Sequence, residues 1–219
     1  ANATAEHAFA LTLSSLRNIP NSYSSVLKGH WDYEKFIGRQ MNFLTIGIIG
    51  FGNIGQTLAN LLEPFQCNII FYDNVAFTKS DLETKFTNKS KNFFNNLQQK
   101  PLNEILKDAD ILSIHLPLLK ETENLIDSHE LAVVKENVNI INTSRGGIIN
   151  EDALRNFLKI KKNAFAAFDV FLEEPAFNSP LLELNNFYAT SHLGSMTEEG
   201  VIAMGLAAIN GLDENRIPI

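Results

Sequence analysis

Three glycines, Gly50, Gly52 and Gly55, stand at G-x-G-x-x-G spacing inside LTIGIIGFGNIGQTLANLLEPFQCNIIFYD, the stretch from Leu44 to Asp73. A glycine at the first position lets the chain turn sharply. One at the second lets backbone N–H groups approach a pyrophosphate with no Cβ between, and one at the third lets a helix pack closely on a strand. The free N–H groups and positive dipole end at the helix start then attract the phosphates. Asp73 follows the last glycine by eighteen positions. That is where a dinucleotide fold puts the carboxylate that accepts hydrogen bonds from the adenosine ribose hydroxyls. A carboxylate there repels a 2′-phosphate and no Arg follows it, so the expected cofactor is NAD rather than NADP.

A glycine motif means little without its supports, and here they are present. An apolar run precedes Gly50, a segment with Leu58, Leu61 and Leu62 at helical spacing follows Gly55, and a second apolar run, Ile69 to Tyr72, leads to Asp73. Downstream the alternation continues. Pro101 opens the helical segment LNEILKDAD, and ADILSIHLP reads as a buried strand ending in His115 and Pro117. A short helix from Ser128 to Lys135 precedes the strand VNIINTSRGG. Asn150 is the expected N-cap for the helix EDALRNFLKI, whose first-turn acids suit the dipole. AFAAFDVF ends near Asp169, NFYATSH is a last short strand, and a final helix of apolar period runs from Met196 to Leu212. Alternating strands and helices predict an α/β fold, a doubly wound parallel sheet of Rossmann type with its ligand along the C-terminal strand edge. Three strand ends bring polar residues to that edge: TSRGG with Arg145, DVFLEEP with Asp169 and Glu174, and SHLG with His192.

The totals exclude several classes. A net charge of −7 and a pI near 5.2 argue against a nucleic-acid or anionic-membrane surface. The single cysteine, Cys67, cannot form an intramolecular disulfide and reads as a small buried hydrophobe. No apolar run is long enough to span a bilayer and no signal peptide precedes the domain, so a cytoplasmic enzyme is the expectation. No His/Cys/Asp grouping has metal-ligand spacing, and no metal is expected.

The chain opens as if a helix were already under way, with Ala5, Phe9, Leu13 and Leu16 on one face, which suggests a longer protein upstream. Residues 18–40 carry Pro20, several Ser, Gly29 and Gly38, the signs of an irregular arm, yet also Val26, Trp31, Tyr33 and Phe36. Such an apolar load either folds back on its own core or covers a neighbouring subunit. Residues 78–100 are rich in Lys, Asn, Gln and Ser, and read as a solvated insertion with one amphipathic turn or helix anchored by Phe86, Phe93 and Phe94.

The motifs GIIGFGNIG, HLPLLKET, INTSRGGIINEDAL, FDVFLEEP and SHLGSMTEE, in this order and spacing, resemble those of the D-isomer-specific 2-hydroxyacid dehydrogenases. The resemblance runs from NATAEH to the final helix. It implies that Arg145 forks onto the carboxylate and carbonyl of a 2-oxo acid, a geometry Lys reproduces poorly. It makes Glu174 the catalytic glutamate, with Glu173 the weaker candidate, and His192 the general acid/base that hydrogen-bonds Glu174. It assigns Asp169 to the nicotinamide carboxamide, lines the cofactor with Asn53, Ile54, Pro117, Thr143 and Gly194, and gives His115 an adenosine-side contact. His7, His30 and His129 are left without function. The acid that family members usually carry at position 150 is Asn here, which can still cap.

By the same resemblance the family's substrate domain begins about a hundred residues upstream, and most of it is missing here. Residues 1–195 are then a dinucleotide-binding domain that includes the N-terminal helix and a dimerisation arm at 18–40, and 196–219 a helix returning toward the absent substrate domain. The implied activity is NAD-dependent hydride transfer to or from a small D-2-hydroxy or 2-oxo acid by a homodimer. The phosphoglycerate branch resembles it most, and glyoxylate or hydroxypyruvate reduction is nearly as compatible. A different class, a non-catalytic NAD-responsive interaction module of the corepressor type, keeps the same residues. Turnover separates the two.

Overall fold

The computed structural model describes the backbone of residues 1–214 and the side chains of residues 1–209. Helix α1 (Asn2–Leu16) and helix α2 (Ile19–Leu27) lead into strand β1 (Thr45–Ile49), helix α3 (Asn53–Leu62) and strand β2 (Asn68–Tyr72). Two short helices, α4 (Lys79–Lys85) and α5 (Lys91–Asn96), precede strand β3 (Leu97–Gln99). Then come α6 (Leu102–Asp108), β4 (Ile111–Ile114), α7 (Ser128–Leu131), β5 (Asn139–Asn142), α8 (Glu151–Ile160), β6 (Phe165–Phe168), β7 (Phe187–Ala189) and α9 (Glu198–Glu214). The strands form one seven-stranded sheet in the order β3-β2-β1-β4-β5-β6-β7, every pair parallel. This is the doubly wound arrangement, with its order reversing between β1 and β4.

The middle strands are buried along their length because both faces are covered, so they read as continuous apolar runs. One face packs Ile105, Leu112, Leu131, Ile140 and Leu154 beneath α6, α7 and α8. The other packs Ile46, Ile48, Phe71 and Ile111 beneath α1 and α3. The α1 face differs from its expected composition. Ala5, Ala8, Leu11 and Leu16 are buried whereas Phe9 and Leu13 are only partly so, because small residues let α1 lie close to α3 and the sheet. Asn150 caps α8 as expected, its Oδ1 accepting from the Ala153 N–H at 3.0 Å. The helix expected from Ser128 to Lys135 is shorter, started by an Asp127–Glu130 capping box and ending at Leu131.

Two expectations are corrected. The 18–40 arm is not irregular throughout: α2 occupies Ile19–Leu27, with Pro20 in its first turn where a missing N–H costs nothing. Nor does most of its apolar load fold back on its own core, since Trp31 is 81% exposed and Tyr23, Val26, Leu27, Tyr33 and Ile37 are also open, while Phe36 is half-buried. The 78–100 segment is no mere solvated insertion. It contributes two helices and the edge strand β3, and it buries Phe86 and Phe93. Phe86 joins Phe77, Phe71 and Phe51, the last two stacked at 3.7 Å, in an aromatic cluster directly under the glycine turn. Its polar composition hid it: β3 is only LQQ, with Leu97 its one fully buried side chain.

Candidate functional site

The glycine turn is built as its spacing requires. Gly50 has φ +95°, outside the range of ordinary L residues, and a Cβ there would stand 2.6 Å from the His115 carbonyl oxygen. A Cβ on Gly55 would stand 2.2 Å from the Gly50 carbonyl oxygen, so the first turn of α3 lies almost against the turn it follows. Gly52, at the N-cap of α3, faces open space, with nothing within 4 Å of its Cβ position. The turn is held by Asp73. One carboxylate oxygen accepts the Phe51 N–H at 2.7 Å and the other the Val75 N–H at 2.9 Å. Gln99 of β3 braces the loop after Asp73, its Oε1 accepting from Phe77 N–H and its Nε2 donating to the Val75 carbonyl, each within 3 Å. Sequence reading missed Gln99, because a polar residue in a polar segment carries no signal until β3 places it beside β2.

Across the switch point, Ile54, His115, Pro117, Thr143, Arg145, Asp169, His192 and Gly194 line one cleft of about 470 Å³. Asn53 opens instead to a neighbouring depression with Gln56 and Lys85. Glu174 stands behind His192, its Oε2 2.8 Å from Nδ1. Partial burial works to raise the Glu174 carboxyl, but the His192 ring and the Phe171 N–H outweigh it and hold the group below its ordinary value. Glu173 faces away, into a separate hollow of about 530 Å³ shared with Glu151 and Arg155, so the two adjacent acids are separated by direction. Arg145 donates one guanidinium N–H to the Ser144 carbonyl at 2.6 Å, while its exposed side chain lines the cleft.

Asp169 is 1% exposed, and its environment was the least legible from sequence. Its Oδ1 accepts from Thr190 Oγ and from the Leu193 N–H at 2.8 Å; its Oδ2 accepts the Gly194 N–H at 2.8 Å. Burial pushes its pKa up; His7, Thr190 and the two N–H groups outweigh that and bring it down to about 2. His115 is pushed down to about 4 by burial, so it is neutral at pH 7; its Nε2 pairs with Ser113 Oγ at 2.8 Å. His115 Nδ1 and Thr143 Oγ1 are buried polar atoms with no hydrogen-bond partner among the described residues. An open N-cap glycine at a helix start, unpartnered polar atoms in the cleft wall and a carboxylate at the end of β2 fit a dinucleotide. Among the described residues no group of three or more His, Cys, Asp or Glu is placed to hold a metal ion, and no helix is long and apolar enough to cross a membrane.

Comparison with known proteins agrees with this geometry. Residues 9–194 match the family model of the D-isomer specific 2-hydroxyacid dehydrogenase NAD binding domain. The chain is 38% identical over 201 residues to a D-3-phosphoglycerate dehydrogenase of Methanocaldococcus jannaschii, covering 92% of this chain and 36% of that protein. It is 34% identical over 210 residues to a glyoxylate reductase of Pyrococcus furiosus, covering 93% of this chain and 59% of that one. The crystal structure of a D-lactate dehydrogenase from Aquifex aeolicus complexed with NAD and lactic acid superposes with a TM-score of 0.84 at 27% identity, over 96% of this chain and 65% of that one. The chain therefore spans about a third to two thirds of the length of these relatives. By fold, glycine turn and motif order, it belongs to the D-isomer specific 2-hydroxyacid dehydrogenases and carries their NAD-binding domain.

Proposed function

We propose that this chain is the cofactor-holding part of an NAD-dependent enzyme that interconverts a D-2-hydroxy acid and its 2-oxo acid. The observation that carries the reading is the 2.8 Å contact between His192 Nδ1 and Glu174 Oε2, made at the cleft that Arg145 also lines. A carboxylate only accepts, so Glu174 keeps the ring proton on Nδ1 and leaves the Nε2 lone pair for a substrate hydroxyl. His192 takes that proton during oxidation and returns it during reduction. Arg145, with guanidinium donors beyond the one it spends on Ser144, orients the substrate carboxylate and 2-oxygen by a forked contact. Bound NAD supplies the hydride acceptor, and its reduced form the donor. The amides around Gly52, Asn53 and Ile54 hold the pyrophosphate, and Asp73 receives the ribose hydroxyls. Asp169 Oδ2, whose one donor among the described residues is the Gly194 N–H, keeps a lone pair for the nicotinamide carboxamide. Thr143, Pro117 and Gly194 line the cofactor, and His115 stands on its adenosine side.

The phosphoglycerate branch is the favoured substrate class, because PLLKET and the FNSPLLELNNFYATSH segment resemble it most and the Methanocaldococcus relative is named for that acid. Residues 1–195 act as the dinucleotide-binding unit, and α9 returns toward a further domain. Its exposed Val201, Ile202, Met204, Leu206 and Ile209 support such a contact; residues 215–219 of the predicted 196–219 helix lie outside the described residues. The 18–40 arm is the homodimer contact through Val26, Trp31 and Phe36, of which the first two are open and Phe36 half-buried, with Tyr23 and Ile37 open beside them. A cytoplasmic setting suits the buried Cys67, whose thiol is pushed up to about 11 by burial and needs no oxidising compartment. The test pairs an NADH fluorescence titration with a rate assay on 2-oxo acids. This chain alone is expected to bind NADH without efficient turnover, and the full-length gene product to do both.

A further inference from the structure

His7 lies on α1, far in sequence from every catalytic candidate, yet its Nε2 is 2.9 Å from Thr190 Oγ1 and 3.2 Å from Asp169 Oδ1. The carboxylate can only accept, and the Thr190 hydroxyl already donates to it. The shared nitrogen is therefore the protonated one, and His7 donates into the pair. Thr4, one turn earlier on α1, reaches the same loop: a Cβ on Gly194 would stand 3.4 Å from its Cγ2.

What His7 touches is the anchor of the loop that carries His192. The His192 N–H donates to the Asp169 carbonyl at 2.9 Å, and the next two N–H groups, of Leu193 and Gly194, end on the two Asp169 carboxylate oxygens. His192 itself has φ +58°, a left-handed conformation uncommon for residues with a Cβ, so the contacts that hold it there matter. Three consecutive amides fastened to one buried residue are that restraint, and the orientation of the Asp169 carboxylate decides whether the last two stay fastened.

We infer that His7 is a positioning residue for the proposed hydride transfer: through Thr190 and Asp169 it fixes the backbone of residues 192–194 and so aims the His192 ring between Glu174 and substrate. It is not among the residues that line the cleft. The inference rests on the proposed role of His192, and it ties α1 to the aim of the acid/base.

The experiment compares His7→Asn and His7→Gln in the full-length protein. A Gln amide reaches about as far as Nε2 does, and an Asn amide stops short at the Nδ1 level. Amide hydrogen exchange at Leu193 and Gly194 is expected to quicken about tenfold in His7→Asn, the loss of one charge-assisted hydrogen bond's worth of protection. Exchange in β1 and β4 stays unchanged, and kcat falls by a similar factor. His7→Gln restores both exchange and kcat to near the parent values. Identical behaviour of the two variants, or faster exchange spread evenly over the sheet, would overturn the inference. The exchange contrast needs no turnover, so a parent protein that binds NADH and reduces no 2-oxo acid refutes the functional reading separately.

Discussion

Adding one methyl group at two neighbouring glycines separates binding from packing. At Gly55 alanine has the better helix propensity by about 1 kcal/mol, but its Cβ would meet the Gly50 carbonyl oxygen at 2.2 Å and Ile48 Cγ2 at 3.1 Å. A backbone oxygen cannot rotate aside, so α3 must shift. Overpacking by so short a backbone contact sits at the upper end of the usual cost, about 3 kcal/mol or more, which leaves about 2 kcal/mol after the propensity gain. The melting temperature of Gly55→Ala is then expected to fall by about 4 °C or more, at roughly 2–4 °C per kcal/mol for a domain of this size. Gly52→Ala meets no atom, and its φ of −74° suits alanine. Its stability cost is only the weaker N-cap, about 0.5 kcal/mol. The new methyl, however, occupies the open space through which the α3 amides reach a pyrophosphate. Loss of a hydrogen bond to a charged oxygen there corresponds to roughly a tenfold to hundredfold weaker NADH affinity. The assay is an NADH fluorescence titration beside thermal unfolding. Gly52→Ala should bind poorly and melt almost normally. Tight NADH binding by a folded Gly52→Ala would show that the phosphates rest elsewhere.

Other outcomes follow from the same geometry. Glu174→Gln should lower kcat by about tenfold or more while the KM for NADH holds, since it perturbs His192 and not the cofactor cradle; equal loss in both would count against the assignment. His115 is held near pKa 4 against an ordinary 6.5, so the fold resists its protonation. Stability is full above about pH 6.5 and declines as pH falls toward 4, by up to about 3 kcal/mol, and a pH series of melting temperatures on His115→Gln should be flatter in that window. Asp169, depressed from 3.8 to about 2, adds stability present above pH 4 and lost as pH falls through 2. Trp31→Glu in the exposed arm should shift sedimentation at micromolar concentration from dimer to monomer; an unchanged profile would remove the arm from the interface.

Much of the fold was legible because it depends on local rules. Ile46, Ile48 and Ile49 before Gly50, and Leu58 and Leu62 after Gly55, sit where a strand and a helix need them. Asn150 followed by two acids started α8 at the expected residue. Local rules fail where partners are distant. Residues 18–40 hid α2 because its Tyr23, Val26 and Leu27 face solvent and no core imposes a periodicity. β3 exists only by pairing with β2, from Leu97 beside Ile69 to Gln99 beside Phe71, and neither its length nor its glutamines announce a strand. The motif residues placed Arg145, Glu174 and His192 at one edge; the buried surroundings of Asp169 were invisible because His7 comes from the opposite end of the chain. Only folding makes that histidine a neighbour.

The most direct measurement is hydride turnover by the full-length gene product, followed as loss of NADH on addition of phosphohydroxypyruvate, glyoxylate or hydroxypyruvate. Hydride transfer at this site requires oxidation of NADH with at least one of these acids, and a fall of about a hundredfold or more in kcat for His192→Ala. A protein that binds NADH through its glycine turn yet leaves every acid unreduced at every pH would contradict it and point instead to an NAD-responsive binding module.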